Sequence, residues 1–314
     1  MALLIVLLSL GLVQIWGSGG PLHRDGWFYQ WQGFVYRSSL VRNRQGIGFG
    51  LVVLVPVLGA AVVLALAESI FGWLGVLLVS VPVLLYSFGR GNFNEALASY
   101  LRAWYQGDQE AAKLAAQPLM GAEDMERAQG LSDNQELHLL VFRAAAYRAF
   151  ERLFAVLFWF LILGIPGALL YRLSHLASEV LAKDALTQES PSEESGLSAA
   201  AAGDRSLAAR WLWLIEWLPV RAIGFSLAIV GNFAGCYRAW RDHLTCKQTT
   251  TEDVLQYYLE GALGGIDSSE CSAGLAVSEG QRLCGAEIEG MQALLSRALL
   301  MWVTLMALYG LFSS

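Results

Sequence analysis

Long apolar runs alternate with polar stretches along this chain of 314 residues, at about 2–16, 46–67, 72–88, 150–172, 211–234 and 292–312. A hydrocarbon layer roughly 30 Å thick is crossed by about 20 predominantly apolar residues in a helix. The pattern predicts an all-α fold, a polytopic helical membrane protein with five or six transmembrane helices, forming one integral domain over residues 1–314. The clearest runs are "GIGFGLVVLVPVLGAAVVLALA" at 46–67 and "QALLSRALLMWVTLMALYGLF" at 292–312, where Arg297 near the start can snorkel. Only "ESIF" separates 46–67 from 72–88, which predicts a tight helical hairpin. Pro56, Pro82, Pro166 and Pro219 all fall inside runs. In a membrane, neighbouring groups re-satisfy the carbonyl that such a proline frees. The run at 150–172 is the ambiguous one, because "LGIPG" near its end can stop the helix early. Re-entry there would move everything downstream to the other side.

The polar stretches differ in kind. In "FNEALASYLRAWYQGDQEAAKLAAQ", Phe93, Leu97, Leu101 and Trp104 recur at helical spacing. This predicts an amphipathic helix that lies on the membrane surface or packs on another cytoplasmic loop. A second helix is expected from "LSDNQELHLLVFRAAAYRAFERLF", with Ser132 as its N-cap. Residues 184–204, "DALTQESPSEESGLSAAAAGD", are acidic, small and low in complexity, and are read as a flexible linker.

Lys and Arg set the orientation. Loops 17–45, 89–149 and 235–291 carry fourteen between them, against three in the loops between. That places the fourteen in the cytoplasm and both termini outside. The first run has no basic residue before it and ends in Trp16, so it is read as a retained span and not a cleaved leader.

Composition narrows the chemistry. The chain is 55% hydrophobic and only 15% charged, with a net charge of −6 and no basic stripe, so nucleic acid is not an expected partner. The bilayer is. Cys236, Cys246, Cys271 and Cys284 lack the C-x-x-C spacing, and His23, His138, His175 and His243 are scattered, so no metal is expected. "GSGG" at 17–20 and "FGRGNF" at 88–93 match neither a P-loop nor a dinucleotide fingerprint. No cofactor is implied. Arg148 and Glu151 are placed to pair at i, i+3, while Arg143 and Arg152 are expected to meet lipid phosphates.

The unusual stretch is "IEWLPVR" at 215–221, with Glu216, Pro219 and Arg221 inside an apolar run. Charges at such positions cost roughly 2.5–3.5 kcal/mol each and usually face protein or water. On an ideal helix the two lie about 140° apart. One reading has Pro219 unwinding the helix so that both enter one cavity, with Arg221 as a fork for an anion. The other has each pairing with a neighbouring helix, or anchoring at the interface with Trp211, Trp213 and Trp217.

"IEWLPVRAIG" resembles the Asp/Glu-Trp-aliphatic-Pro-x-Arg segment of AmpE-type membrane proteins, and "FERLFAVLFWFLILGIPGALLYRL" is similar to their preceding aromatic-rich span. The resemblance covers nearly the whole chain. It implies a bacterial inner-membrane, multi-pass protein associated with the AmpD amidase and with control of β-lactamase induction. AmpE is similar, more distantly, to the CobD/CbiB synthases of cobalamin biosynthesis, which join a corrinoid carboxylate to an amino alcohol with ATP. Against their Tyr-Arg-x-x-Asn-Thr-Leu-Asp pattern this chain keeps Tyr171 and Arg172 but continues with His175, Leu176, Ala177 and Ser178. Ala209 and Arg210 are kept, while Leu212 and Trp213 replace a pair of aspartates. "LEGALGG" at 259–265 faintly echoes the same family's Gly-Ala-Leu-Gly region. ATP-dependent synthesis needs carboxylates to hold magnesium, so no catalytic residue is assigned. The resemblance implies a ligand site of Arg172, Arg210, Glu216, Pro219 and Arg221, with His175 beside it, suited to a small anionic, muropeptide-like metabolite. A synthase and a transport accessory are the competing readings.

Overall fold

The computed structural model describes residues 1–16, 25–38, 41, 46–88, 93–131, 133–187, 195–244, 249–264 and 277–312. Regular structure among them is all helical. In chain order the helices are α1 (Ala2–Trp16), α2 (Gly26–Arg37), α3 (Ile47–Phe71), α4 (Trp73–Ser87), α5 (Phe93–Gln106), α6 (Gln109–Ala116) and α7 (Ala122–Gly130). Then follow α8 (Asn134–Ala149), α9 (Ala155–Leu163), α10 (Ile165–Thr187), α11 (Ser195–Val230), α12 (Phe233–His243), α13 (Thr251–Leu263) and α14 (Val277–Phe312). A π-turn at Phe150–Phe154 links α8 to α9.

Among the described residues three helical segments are long and apolar enough to cross a membrane, Ile47–Phe71, Gly203–Val230 and Cys284–Leu308, and Ala2–Val13 and Trp73–Ser87 are shorter apolar helices. On α3, Leu54, Leu58, Val62 and Leu66 form an exposed apolar stripe at four-residue spacing. Lipid is the natural cover for such a stripe. The chain is an all-α membrane protein.

The chain packs as two compact units, each built from two stretches. The first comprises Met1–Arg90 and Ala155–Glu216, the second Gly91–Phe154 and Trp217–Ser314. Helix α11 contributes its earlier residues to the first and its last turns to the second.

The first unit is built on two hairpins that share one device. Between α3 and α4 stands Gly72, at φ +58°, and between α9 and α10 stands Gly164, at φ +68°. Only glycine takes this backbone setting without strain. Three residues later, Gly75 and Gly167 let the returning helix approach closely. A Cβ on Gly75 would lie 2.0 Å from the Ala67 carbonyl oxygen, and one on Gly167 would lie 2.4 Å from that of Trp159. The hairpin predicted at "ESIF" is present, although residues 68–71 stay helical and the turn is Gly72 alone.

The stretch 150–172 is not one helix. Gly164 ends α9 after nine residues, and Pro166 opens α10, where a missing N–H costs nothing. Leu161, Ile162 and Leu163 form an exposed apolar tip. Nor is the 184–204 segment a tether throughout. Residues 184–187 finish α10 and 195–204 begin α11, whose alanine-rich start favours helix, while 188–194 lie outside the described residues.

In the second unit α5 presents Leu97, Leu101 and Trp104 to the interior, so its apolar stripe packs on protein. Tyr105 of α5 donates to Glu289 of α14 at 3.0 Å. Helix α8 is capped by the Asp133 side chain, which accepts from Gln135 N; Ser132, the expected cap, lies outside the described residues. Arg148 pairs with Glu151 at 3.1 Å as expected. Arg143 does not wait for lipid. Its guanidinium meets Glu252 at 2.7 Å and Asp253 at 3.1 Å, both at the start of α13.

Candidate functional site

Helix α10 carries the densest polar run of the first unit. Tyr171, Arg172, Ser174 and His175 are all buried on it. Their neighbours come from three other helices of the unit. The Tyr171 hydroxyl donates to Glu216 Oε1 of α11 at 2.9 Å. The Trp211 indole donates to Ser174 Oγ at 3.0 Å. Arg172 Nη2 stands 3.7 Å from Asp25 Oδ2, which precedes α2. The Tyr86 hydroxyl of α4 is buried beside both Asp25 and Arg172. The His175 ring lies 6.4 Å from that of Tyr171.

Asp25, Arg172 and Glu216 are 2%, 5% and 2% exposed. Charges this deep persist when they are paired and hydrogen-bonded, and in membrane proteins they commonly mark ligand or ion sites. A third buried carboxylate, Asp204 of α11, accepts from the Tyr36 hydroxyl at 3.1 Å and from the Gly46 amide at 2.5 Å. Gly46 precedes the first turn of α3, where the helix dipole favours negative charge. This carboxylate reads as an anchor for the long span.

Pro219 leaves α11 helical and buried. A proline has no N–H for the carbonyl four residues back, which here belongs to Ile215. The Trp159 indole fills that place at 3.0 Å. The same arrangement recurs at Pro56 in α3, where Trp31 donates to the Val52 carbonyl at 3.3 Å. The expectation that neighbours re-satisfy proline-freed carbonyls is met twice by tryptophan.

Arg221 belongs to the second unit. It donates to the carbonyls of Trp217 at 3.3 Å and His243 at 3.1 Å, and its guanidinium carbon lies 4.8 Å from the centre of the Trp217 ring. His243 is the last residue of α12, so the cation sits at a helix C-terminus, where the dipole favours it. In return the Trp240 indole donates to the Arg221 carbonyl at 3.1 Å. Arg210 is exposed on α11. Within the first unit, then, Tyr171, Arg172, His175 and Glu216 gather on two helices.

Asp25, Tyr86 and Trp159 escaped the sequence reading. Asp25 follows a stretch with no periodicity, and Tyr86 ends an apolar run where a tyrosine reads as an interface anchor. Leu212 and Trp213, which stand where the synthase pattern has aspartates, are half-buried, and no group of three His, Cys, Asp or Glu side chains among the described residues is arranged to hold a metal ion.

The chain is 27% identical over 116 residues to "Cobalamin biosynthesis protein CobD" of Stutzerimonas stutzeri (strain A1501), covering 37% of this chain and 34% of that protein. It is 30% identical over 114 residues to the protein of the same description from Chromobacterium violaceum, covering 36% and 32%. The chain thus matches about a third of the length of these curated relatives. No solved structure matches it. A family model described as "Regulatory signalling modulator protein AmpE" matches residues 1–263. The chain belongs to the AmpE family.

Proposed function

We propose that this protein is a multi-pass inner-membrane sensor that binds a small anionic metabolite within its first unit and takes part, with the AmpD amidase, in control of β-lactamase induction. The observation that carries the reading is the buried set on α10 and its neighbours, Arg172 with Asp25 and Tyr171 with Glu216. An apolar unit keeps such groups at a cost, and a fork-shaped guanidinium is the side chain suited to a carboxylate or phosphate. Arg172 supplies the cation, Tyr86 a hydroxyl, and Glu216 an acceptor for a ligand amide or hydroxyl. His175 borders the set, while Arg210 is an outer contact and Pro219 and Arg221 shape the helix that presents Glu216. The ligand's muropeptide character rests on the family alone.

A second reading, an ATP-dependent amide-forming synthase, is supported by the partial likeness to CobD. It needs magnesium ligands, and the positions that would supply them are Leu212 and Trp213. One strain separates the two. Deleting the gene should alter β-lactamase induction by a β-lactam, and the wild-type gene should restore it. Unchanged induction, together with magnesium-dependent binding of ATP by the purified protein, would replace the sensor with the synthase.

A further inference from the structure

Asp25 occupies the N-cap position of α2, yet its side chain makes no cap hydrogen bond. Its backbone, at φ −80° and ψ 6°, is turned out of the extended setting that a capping residue uses. In the first turn of α2 the Asp25 carbonyl accepts from Phe28 N and Tyr29 N. Aspartate is among the best N-caps, so leaving the position uncapped forgoes a stabilising contact. The carboxylate instead faces Arg172, with its Oδ2 3.7 Å from Nη2, a distance of charge attraction. The hydroxyl of Tyr86 is buried alongside the pair, within hydrogen-bonding reach of Asp25.

These observations describe a carboxylate with two alternative posts. Building on the anion site proposed above, we infer that Asp25 is the built-in counter-ion of that site. A ligand carboxylate or phosphate takes over Arg172 and the Tyr86 hydroxyl, and Asp25 turns to cap α2. The exchange converts occupancy into a change at one helix terminus, which is the differential interaction a sensor needs between its two states. It also means that the resting ion pair lowers apparent ligand affinity, since part of the binding energy goes to displacing Asp25.

The test is titration of the full-length protein in phospholipid-free detergent with inorganic phosphate, comparing wild type with Asp25→Asn, Asp25→Ser, Tyr86→Phe and Arg172→Gln. Asn and Ser both cap helices without a charge. Each is expected to tighten phosphate binding by about tenfold or more, Tyr86→Phe to weaken it, and Arg172→Gln to abolish it. Saturating phosphate should also slow amide exchange in the first turn of wild-type α2, a readout that needs no substitution. Arg172-dependent binding that Asp25→Asn and Asp25→Ser leave unchanged or weaken, or unaltered exchange in α2, would overturn the counter-ion while leaving the anion site. Absence of Arg172-dependent binding in every variant would overturn both. Repeating the titration in nanodiscs separates the sources of the anion. Loss of phosphate binding in phosphatidylglycerol but not in phosphatidylcholine identifies a lipid headgroup as the occupant, and retention in both identifies a soluble anion.

Discussion

The indole of Trp159 donates to the carbonyl of Ile215 at 3.0 Å, the carbonyl that Pro219 leaves without a helical donor. A buried acceptor stripped of its partner costs about 1–3 kcal/mol. Trp159→Phe should therefore destabilise the protein by about that amount, plus a small packing loss. In a Pro219→Ala background residue 219 regains its N–H, and the same change should cost measurably less. A double-mutant cycle on unfolding in detergent measures this coupling. Additive effects would mean that the indole contributes only packing.

The paired glycine turns make a steric prediction. Gly75→Ala and Gly167→Ala each place a methyl against backbone, which cannot move as a flexible side chain does. Each should cost about 1–3 kcal/mol or more and lower the yield of folded protein in the membrane. Ala at the open position Gly59, where nothing lies within 4 Å, is the matched control and should be neutral or slightly stabilising. Thermal unfolding of the three variants settles the order.

Arg221 is predicted to act on α12. Lysine keeps the charge but cannot reach two carbonyls with a planar fork. In Arg221→Lys, amide exchange in 233–243 should quicken, while the pairs around Arg172 stay intact. Unchanged exchange in α12 would show that the guanidinium is not what seats that helix.

The pairs at the start of α13 give a pH dependence. Burial raises the Glu252 carboxyl above its ordinary range, and Arg143 only partly offsets this. Burial likewise raises Asp124, with Arg143 and Arg127 opposing. Burial works against the Arg143 charge, but Glu252 and its neighbours outweigh it and the net shift is upward. A carboxyl whose folded value is raised takes up its proton in the folded state first. Its contribution to stability is therefore largest below the unfolded value and is lost as pH rises through the folded one. Between neutral pH and the ordinary carboxylate range, acidification should favour the folded state through these two groups. Glu252→Gln and Asp124→Asn should flatten the slope of melting temperature against pH in that window. An unchanged slope would remove them as the cause.

Much of this architecture was legible because lipid imposes simple patterns. The apolar runs gave the helices, "ESIF" flagged a hairpin, and the spacing of Leu97, Leu101 and Trp104 gave a buried face. The break within 150–172 was visible only as an ambiguity, because "LGIPG" reads equally as a kink or a stop until Gly167 is seen against Trp159. The Pro-x-Arg motif was found but not its use. Pairing such as Arg221 with His243, or Trp159 with Ile215, joins backbone carbonyls to distant side chains, and no residue type advertises a carbonyl. Asp25 and Arg172 are separated by more than a hundred residues of chain, so only packing brings them together.

The most direct measurement is β-lactamase induction in a strain lacking the gene, complemented at matched membrane levels with wild type, Arg172→Gln or Glu216→Gln. Induction restored by wild type and lost in both variants, with both still folded, is the predicted result. Full restoration by Arg172→Gln and Glu216→Gln would contradict it, and would leave the buried set on α10 as scaffolding alone.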